Sequence, residues 1–338
     1  MNKTTKIALY LFLFGILSIF AVFFTAPPVT YTKSDVLGLT SPVDLFIEPD
    51  TVKTPLVDYI NLSQKSIWMT MYLLSDPEII AAIKEADNRG VDVKVILEEH
   101  PFGGSNLNRK IKPDLEASGI EVQWGRSDFP FTHQKTLLID NETLCVLNQN
   151  LTKSAFVGNR EYNICENDPH DIADATAVFT ADWEGHSYEG GVSNLLVSPI
   201  SARPKLELFF NSATVSLDLE VEVIDDPELM TIFSMKAKSF PVRIIIPDLG
   251  DIEANSEPAA TLLNSGVSVR TLKKPYLHAK AAVVDHERVY LGSINMTTNS
   301  LDENREMGII LRDPSAVAAI EQQFEADWQS ATPLLLPQ

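Results

Sequence analysis

The sequence predicts an α/β protein that is built from two pseudo-symmetric halves. β-Branched segments alternate with helix-start and helix-stop signals, short motifs recur at a nearly constant spacing, and one polar pattern occurs twice. The chain has 338 residues, which suits one large domain or two of ordinary size. Apolar residues make up 45% of the chain and charged residues 22%, which excludes wholesale disorder and fibrous repeats.

An apolar run opens the chain. Residues 7–24 carry no charge, and a helix of that length, at about 1.5 Å per residue, nearly spans a hydrocarbon core of roughly 30 Å. Lys3 and Lys6 precede the run, so the positive-inside rule places the N-terminus in the cytoplasm and the rest of the chain outside it. We expect an uncleaved single-pass anchor over residues 1–26 and a linker over 27–42. A cleaved signal peptide, and hence a secreted protein, is the alternative.

Strands and helices alternate after the linker. Residues 91–97 and 242–246 are short β-branched runs, which are typical of buried strands. Residues 76–90 begin with Asp-Pro-Glu, a helix-start signal, and end at a glycine, a helix-stop signal. A second Asp-Pro-Glu, at 226–228, predicts a matching helix.

Short sequences recur between the two parts of the chain, at offsets of 145 to 150 residues. Such a long period indicates an internal duplication rather than a solenoid. The halves are predicted to cover residues 43–186 and 195–338, with the joint in the turn-rich segment 185–194. The recurring tripeptides are Ser-Gly-Ile at 118–120 with Ser-Gly-Val at 265–267, and Ala-Asp-Trp at 181–183 and again at 326–328.

The most informative repeat aligns residues 133–161 with residues 278–306 without gaps, at a constant offset of 145. Nine of these 29 positions are identical, and all nine are polar. Duplicated cores tend to retain hydrophobicity as a class, so retained polar identities indicate chemistry. The identical pairs are His133/His278, Lys135/Lys280, Asp140/Asp285, Glu142/Glu287, Asn150/Asn295, Thr152/Thr297, Asn159/Asn304, Arg160/Arg305 and Glu161/Glu306.

The repeated histidines are each followed by a segment that reads as a strand, in which residues two apart share a face. His133 should therefore lie beside Lys135, and His278 beside Lys280. A cation next to a histidine is unfavourable unless an anion binds between them. A phosphate ester fits, because lysine neutralises its oxygens while histidine acts on phosphorus or on the leaving group. The lysines argue against a metal centre, and we expect neither a metal nor a cofactor.

Two further repeated pairs suit the same chemistry. Asn150 and Asn295, each 17 residues past the histidine, could add amide donors to the phosphate oxygens. Glu161 and Glu306, each 28 residues past it, could accept the second ring N–H, and we expect each to hold the histidine of its own half. Two half-sites that meet at a pseudo-twofold axis would place the histidines on opposite sides of one phosphorus. One would attack and form a phosphohistidine, and the other would protonate the leaving alcohol.

The sequence resembles a known family at these residues. His-x-Lys-x4-Asp followed by Gly-Ser-x-Asn is the signature of the phospholipase D superfamily, and the second half carries it in full through Gly292 and Ser293. The first half departs with Leu147 and Asn148 where glycine and serine are usual. The resemblance implies two phospholipase D-like α-β-α sandwich halves around one shared, metal-independent site.

The resemblance also implies roles for individual residues. Asp140 and Asp285, the motif aspartates, would brace their strands. Ser293 would contact the phosphate, and Asn148 would replace the missing serine as a donor in the first half. In two-motif members the N-terminal histidine is commonly the nucleophile, which points to the first half, although the intact Gly-Ser context favours the second.

These observations predict a phosphodiesterase of phospholipase D type, which hydrolyses or transfers a phosphatidyl group of a membrane phospholipid. We expect a monomer, since one chain supplies both half-sites. The net charge of −19 disfavours long nucleic acids, but a membrane-anchored or exported nuclease of the same superfamily is the alternative, and a non-catalytic scaffold is a third interpretation.

Two features stay open at this stage. Loops 98–113 and 247–258 should border the pocket, where an apolar rim would favour lipid and a charged groove would favour nucleic acid. Cys145 and Cys165 could form a disulfide in an exported domain, but the sequence does not give their separation.

Overall fold

The computed structural model describes residues 30–51 and 53–335, which form two eight-stranded sheets with helices packed against them. The predicted anchor over residues 1–26 lies outside the described residues. Within the described part of the chain, no helix is both long enough and apolar enough to cross a membrane.

The first half contains seven strands and five α-helices in the described residues. The strands are β1 (Asp44–Glu48), β2 (Ser66–Met71), β3 (Asp92–Leu97), β4 (Glu121–Trp124), β5 (Lys135–Ile139), β6 (Thr143–Leu147) and β7 (Asn159–Glu166). The helices are α1 (Thr54–Leu62), α2 (Pro77–Asn88), α3 (Leu107–Glu116), α4 (Lys153–Gly158) and α5 (Pro169–Glu184).

The second half repeats this order with two short additional strands. The strands are β8 (Leu195–Ser198), β9 (Leu217–Val221), β10 (Val242–Pro247), β11 (Ser268–Leu272), β12 (Tyr276–Leu277), β13 (Lys280–Val284), β14 (Arg288–Gly292), β15 (Glu306–Leu311) and β16 (Thr332–Pro333). The helices are α6 (Ala202–Asn211), α7 (Pro227–Lys236), α8 (Ser256–Asn264), α9 (Thr298–Asp302) and α10 (Pro314–Ser330).

The two sheets have the same strand order. The first runs β1-β7-β6-β5-β2-β3-β4, and the second runs β8-β15-β14-β13-β9-β10-β11 with β16 added at the edge. In each sheet the strands β2-β3-β4 or β9-β10-β11 are parallel, and the other pairs in these orders are antiparallel. The short strand β12 is the eighth strand of the first sheet and pairs with β7 in parallel. The predicted internal duplication is therefore a duplication of the whole sheet topology.

Local sequence signals explain where the elements begin. Asp76 accepts hydrogen bonds from the backbone N–H groups of Glu78 and Ile79, which caps α2, and Asp226 caps α7 in the same way. The proline after each aspartate occupies the first helical position, where its missing N–H costs nothing. Both predicted Asp-Pro-Glu helix starts are confirmed.

Three apolar cores hold the described residues together. One lies within each half, and a third lies between the halves and buries residues of both, including Leu138 of β5 and Val283 of β13. Alternation along a strand divides its residues between cores: Leu137 and Ile139 face the core of the first half, and Leu138 faces the shared core. Each sheet therefore has two buried faces, which explains the near-continuous apolar runs of its strands.

The segment before β1 is attached to the second half. Residues Lys33–Val36 form a short 3-10 helix, and the N–H of Leu39 donates to the carbonyl of Ile310 at 2.9 Å. The later part of the predicted linker thus packs against β15. Between α5 and β8, at the predicted joint 185–194, the structure has neither a helix nor a strand.

Cys145 and Cys165 form a disulfide, which joins β6 to β7 where the two residues lie directly opposite each other. The bond that the sequence left open is therefore present.

Candidate active site

Both halves contribute to one pocket of about 330 Å³. The two repeated histidines line it together, which brings the half-sites to a single centre as the duplication predicts. Its lining residues are Tyr72, Phe102, Phe131, His133, Glu222, Val223, Ile252, His278, Asn295, Ser300 and Asn304.

The backbone brings each histidine against the other half. The N–H of His133 donates to the carbonyl of Arg305 at 2.9 Å, just before β15 of the second half. The N–H of His278 donates to the carbonyl of Arg160 at 3.3 Å, in β7 of the first half. The short strand β12, which leads into His278, also pairs in parallel with the start of β7. Each histidine therefore lies beside the last long strand of the opposite half.

Because each histidine lies beside a strand of the opposite half, each one contacts the glutamate of that opposite half. Nδ1 of His133 lies 2.7 Å from Oε2 of Glu306, and Nδ1 of His278 lies 2.8 Å from Oε2 of Glu161. The prediction that each glutamate holds the histidine of its own half is wrong, because the glutamates begin or lie in strands that run alongside the other half's histidine. Both glutamates are fully buried, so the contacts exclude water. With Nδ1 engaged, Nε2 of each ring is the nitrogen left to react.

A pair of asparagines supports these glutamates. Nδ2 of Asn159 donates to Oε1 of Glu161 at 3.0 Å, and Nδ2 of Asn304 donates to Oε1 of Glu306 at 3.2 Å. Sequence reasoning assigned these asparagines no role, although they were among the nine identical pairs. Each asparagine lies two residues before its glutamate in both repeats, and this repeated spacing is the sequence signal that could have identified their role.

The lysines lie beneath the histidines and are fully buried. Nζ of Lys135 donates to the carbonyl of His133, and Nζ of Lys280 donates to the carbonyl of His278, both at 2.6 Å. Burial, reinforced by the charge of Lys280, lowers the pKa of Lys135 to about 7. Burial and the two lysine charges lower the pKa of His133 to about 4 against the opposing pull of Glu306. His133 is thus neutral at pH 7.

The two sides of the pocket are not equivalent. Tyr72 is the first residue after β2, and Glu222 is the first residue after β9, so they occupy matching positions. The Tyr72 ring meets the His133 ring edge-on, with centroids 4.5 Å apart. Glu222 instead places Oε2 2.7 Å from Nζ of Lys280 and 3.6 Å from Nε2 of His278. Neither residue was singled out from the sequence, because they differ between the halves.

The predicted phosphate-binding asparagines differ in position. Asn295 lines the pocket, whereas Asn150 is half-buried and is not one of the lining residues. In both, Oδ1 is buried and has no hydrogen-bond partner within the described residues. Both amides therefore keep unused hydrogen-bonding capacity.

Ser293 and Asn148 do not face the pocket, so their predicted contact with phosphate is wrong. Both are fully buried. The Ser293 hydroxyl donates to the carbonyl of Met307 at 3.3 Å and accepts from its N–H at 3.1 Å. Oδ1 of Asn148 accepts from the N–H of Tyr162 at 3.0 Å, the equivalent bond in the first half, and its Nδ2 donates to the carbonyl of Gly292. The longer side chain thus ties the two halves together through backbone atoms.

The departure at Leu147 belongs to a pair of positions that differ between the halves. Gly292 lies opposite Gly308 in the β14–β15 pair, and a Cβ added to Gly292 would come within 2.3 Å of Cα of Gly308. In the first half the same two positions are Leu147 and Asn163, which lie opposite each other in the β6–β7 pair. Leu147 is buried in the core of the first half.

The motif aspartates have structural contacts. Asp140 accepts backbone N–H groups of three successive residues, Gln64 to Ser66, at 2.7 to 3.0 Å. Asp285 accepts those of Thr214 to Ser216 in the second half, at 2.7 to 3.1 Å. Both aspartates have positive φ angles, 57° and 56°, in the tight turns that follow β5 and β13. They thus fix each turn to the loop that precedes β2 or β9.

Each of the two repeated arginines forms an ion pair with an aspartate of the other half. Nε of Arg160 lies 2.6 Å from Oδ2 of Asp327 in α10, and Nη2 of Arg305 donates to Oδ1 of Asp182 in α5 at 3.0 Å. These aspartates belong to the repeated Ala-Asp-Trp tripeptides, whose role the sequence did not reveal. The pairs hold the strands that carry the glutamates against the opposite half.

Loops 98–113 and 247–258, which were predicted to border the pocket, each contribute one lining residue. Phe102, a residue that is 86% exposed, comes from the first loop, and Ile252 comes from the second. The first segment is not wholly a loop, since α3 begins at Leu107. Together with Phe131 these residues form an apolar rim. Two short segments are rich in lysine and arginine, residues 109–112 and residues 270–274. Neither segment contributes a residue to the lining of this pocket in the described chain.

Comparisons with known proteins agree with this geometry. The family model "Cardiolipin synthase, PLD-like domain" matches residues 56–183 and 207–328. A cardiolipin synthase of Clostridium perfringens is 24% identical over 345 residues, which cover 87% of this chain and 72% of that protein. The human mitochondrial cardiolipin hydrolase is 30% identical over 135 residues, 39% of this chain and 53% of that protein.

A solved structure shares the fold. The phosphatidylserine synthase of Haemophilus influenzae superposes with a TM-score of 0.67 at 14% identity, over 90% of this chain and 92% of that chain. The fold and the site define a protein of the phospholipase D superfamily. The chain belongs, within that superfamily, to the family of cardiolipin synthase PLD-like domains.

Proposed function

We propose that the protein is a phosphatidyltransferase of cardiolipin synthase type, which moves a phosphatidyl group from one headgroup alcohol to another. The observation that carries this proposal is the pairing of two pocket-facing histidines, each held at Nδ1 by a buried glutamate of the other half. Membership of the cardiolipin synthase-like family supports a phospholipid as the substrate.

The first step forms a covalent intermediate. Nε2 of His133 attacks phosphorus and forms a P–N bond, while the P–O bond to the headgroup alcohol breaks. His278 gives its Nε2 proton to the departing oxygen, so the alcohol leaves neutral. The lowered pKa of His133, about 4, supports its role as nucleophile because the ring keeps its lone pair at neutral pH. The lysines offset the negative charge of the phosphate oxygens.

The second step reverses the first with a new alcohol. The acceptor hydroxyl gives its proton to Nε2 of His278 and attacks phosphorus, and the P–N bond to His133 breaks. Water in the place of the alcohol would give hydrolysis and phosphatidic acid. Asn295, which lines the pocket, supplies an amide donor for the phosphate oxygens during both steps.

The rim of the pocket favours lipid over nucleic acid. Phe102, Phe131 and Ile252 are apolar and stand at the mouth, where acyl chains of a membrane lipid would pass. The net charge of −19 opposes an extended polyanion. A nuclease would instead need a cationic groove that leads away from the histidines.

The N-terminal run and the disulfide support a location at the outer face of a membrane. A single pass over residues 7–26 would hold the pocket near lipid, and disulfides persist mainly outside the cytoplasm. A reporter fused at Gln338 should then work only if it is of the kind active outside the cytoplasm. Activity of a cytoplasm-only reporter would overturn this topology. We propose a monomer, since one chain supplies both histidines.

The experiment that tests the function compares substrates directly. The purified full-length protein in mixed micelles should convert phosphatidylglycerol to cardiolipin and glycerol, and His278→Ala should abolish the conversion. Labelled single-stranded DNA serves as the competing substrate. Cleavage of DNA without turnover of phospholipid would refute the proposal in favour of a nuclease.

A further inference from the structure

The side of the pocket around His278 is acidic, whereas the side around His133 is aromatic. Glu222 is the cause, because the matching position in the first half is Tyr72. Its carboxylate lines the pocket with its side chain 14% exposed, and Oε2 lies 3.6 Å from Nε2 of His278. A carboxylate is an unexpected neighbour for a substrate phosphate, since like charges repel.

Glu222 is ionised and has spare acceptor capacity. Burial opposes its charge, but His278 and Lys280 lower its pKa to about 2. Oε2 accepts from Nζ of Lys280 at 2.7 Å, and Oε1 accepts from the hydroxyl of Tyr276 at 3.0 Å. A carboxylate has about four acceptor positions, so two remain for a further donor.

The reaction geometry places the headgroup beside this carboxylate. In an in-line displacement the leaving oxygen departs on the side of phosphorus opposite the attacking atom. If His133 attacks, the leaving alcohol therefore lies at Nε2 of His278, next to Glu222. The incoming alcohol occupies the same place in the second step. This placement rests on the function proposed above.

We infer that Glu222 is the headgroup-selecting residue of this enzyme. It accepts a hydrogen bond from a hydroxyl or ammonium group carried one or two carbons from the ester oxygen. It also repels a carboxylate carried directly on the alcohol, whereas the phosphate of a phosphatidylglycerol acceptor lies beyond the hydroxyl that donates to Glu222. The favoured substrates are thus phospholipids of polyol or amino alcohols, and the favoured acceptors are the same alcohols.

Two matched lipids test this selection with the full-length protein in mixed micelles. Phosphatidylglycerol and phosphatidyl-1-propanol have three headgroup carbons each, and only the first carries further hydroxyls. The wild type should prefer phosphatidylglycerol by about tenfold or more in kcat/KM, as expected for a hydrogen bond to a charged group. In Glu222→Gln the loss on phosphatidylglycerol should exceed the loss on phosphatidylpropanol by about tenfold. Glu253→Gln, which removes an exposed carboxylate from the loop near the mouth, should keep the wild-type preference.

The outcomes separate this inference from the proposed function. Equal losses on both lipids in Glu222→Gln would mean that Glu222 acts only through Lys280 and would overturn the inference. Should that variant fail to fold, acceptor competition in the wild type gives the same test. At equal concentrations, transfer to glycerol and ethanolamine should exceed transfer to 1-propanol, and glycerate should be the poorest acceptor. An active wild type without this order refutes headgroup selection alone, whereas a wild type inactive on every phospholipid refutes the proposed function.

Discussion

Replacing either crossed glutamate by glutamine should disable the histidine of the opposite half. Glu306→Gln removes a fully buried charge that lies 2.7 Å from Nδ1 of His133. Unit charges about 4 Å apart interact by about 4 kcal/mol at an effective dielectric constant of about 20. Since glutamine retains a hydrogen bond, we expect a loss of about 2–4 kcal/mol as the ring becomes positive during attack. One factor of ten in rate corresponds to about 1.4 kcal/mol, so kcat/KM should fall by roughly 30- to 1000-fold.

The leaving group distinguishes the two glutamates. A 4-nitrophenyl ester of phosphatidic acid needs little help from an acid, but it still needs the nucleophile. Single-turnover release of nitrophenol should therefore fall by roughly 30- to 1000-fold in Glu306→Gln and be largely retained in Glu161→Gln, whereas both variants should be impaired on phosphatidylglycerol. Thermal denaturation of each variant controls for folding. The opposite result, with nitrophenol release retained in Glu306→Gln and strongly reduced in Glu161→Gln, would refute the assignment of the nucleophile to His133, which Glu306 holds.

Three further predictions concern pH, metal ions and stability. The value of kcat/KM should be highest between about pH 4 and pH 7, which a pH–rate profile measures. Below this range His133, whose pKa is lowered to about 4, becomes protonated and loses its lone pair. Above it Lys135, whose pKa is lowered to about 7, loses its charge. Activity should survive excess chelator, since buried lysines supply positive charge, and loss with recovery on adding a divalent ion would contradict this. Gly292→Ala should destabilise the fold by about 2–3 kcal/mol in thermal denaturation, since its Cβ would meet the backbone of Gly308 at 2.3 Å, whereas Gly158→Ala, with nothing within 4 Å, should be neutral or slightly stabilising.

Much of the fold was predictable because its signals are local and occur twice. The Asp-Pro-Glu helix starts, the β-branched strands and the constant offset each depend on a few neighbouring residues, and duplication doubles the evidence for each. The shared pocket followed from the repeated His-x-Lys pattern for the same reason.

The pairing across the pocket was not predictable from spacing. Glu161 and His133 lie in the same repeat, so the sequence suggested that they contact each other. In the structure Glu161 contacts His278 of the other half instead. Only the packing of β7 and β15 against the opposite half decides this. An alignment of one repeat on the other cannot distinguish a contact within a half from the equivalent contact between halves.

Residues that differ between the repeats were missed because the sequence analysis relied on identical positions. Glu222 and Tyr72 occupy matching positions in the two halves, and it is the difference between them that makes the two sides of the pocket unlike. Asn148 was misassigned because its position in the motif suggested a contact with phosphate, whereas its amide oxygen accepts a hydrogen bond from the backbone N–H of Tyr162. Its burial between the halves depends on tertiary packing, which a local motif does not encode.

The covalent intermediate is the central claim, and mass spectrometry of the trapped enzyme tests it most directly. His278→Ala, incubated with the nitrophenyl ester of phosphatidic acid and quenched, should carry one phosphatidyl group on the peptide that contains His133. His133→Ala should carry none. Release of nitrophenol by His278→Ala without any adduct, or an adduct on the peptide of His278 in His133→Ala, would contradict the account.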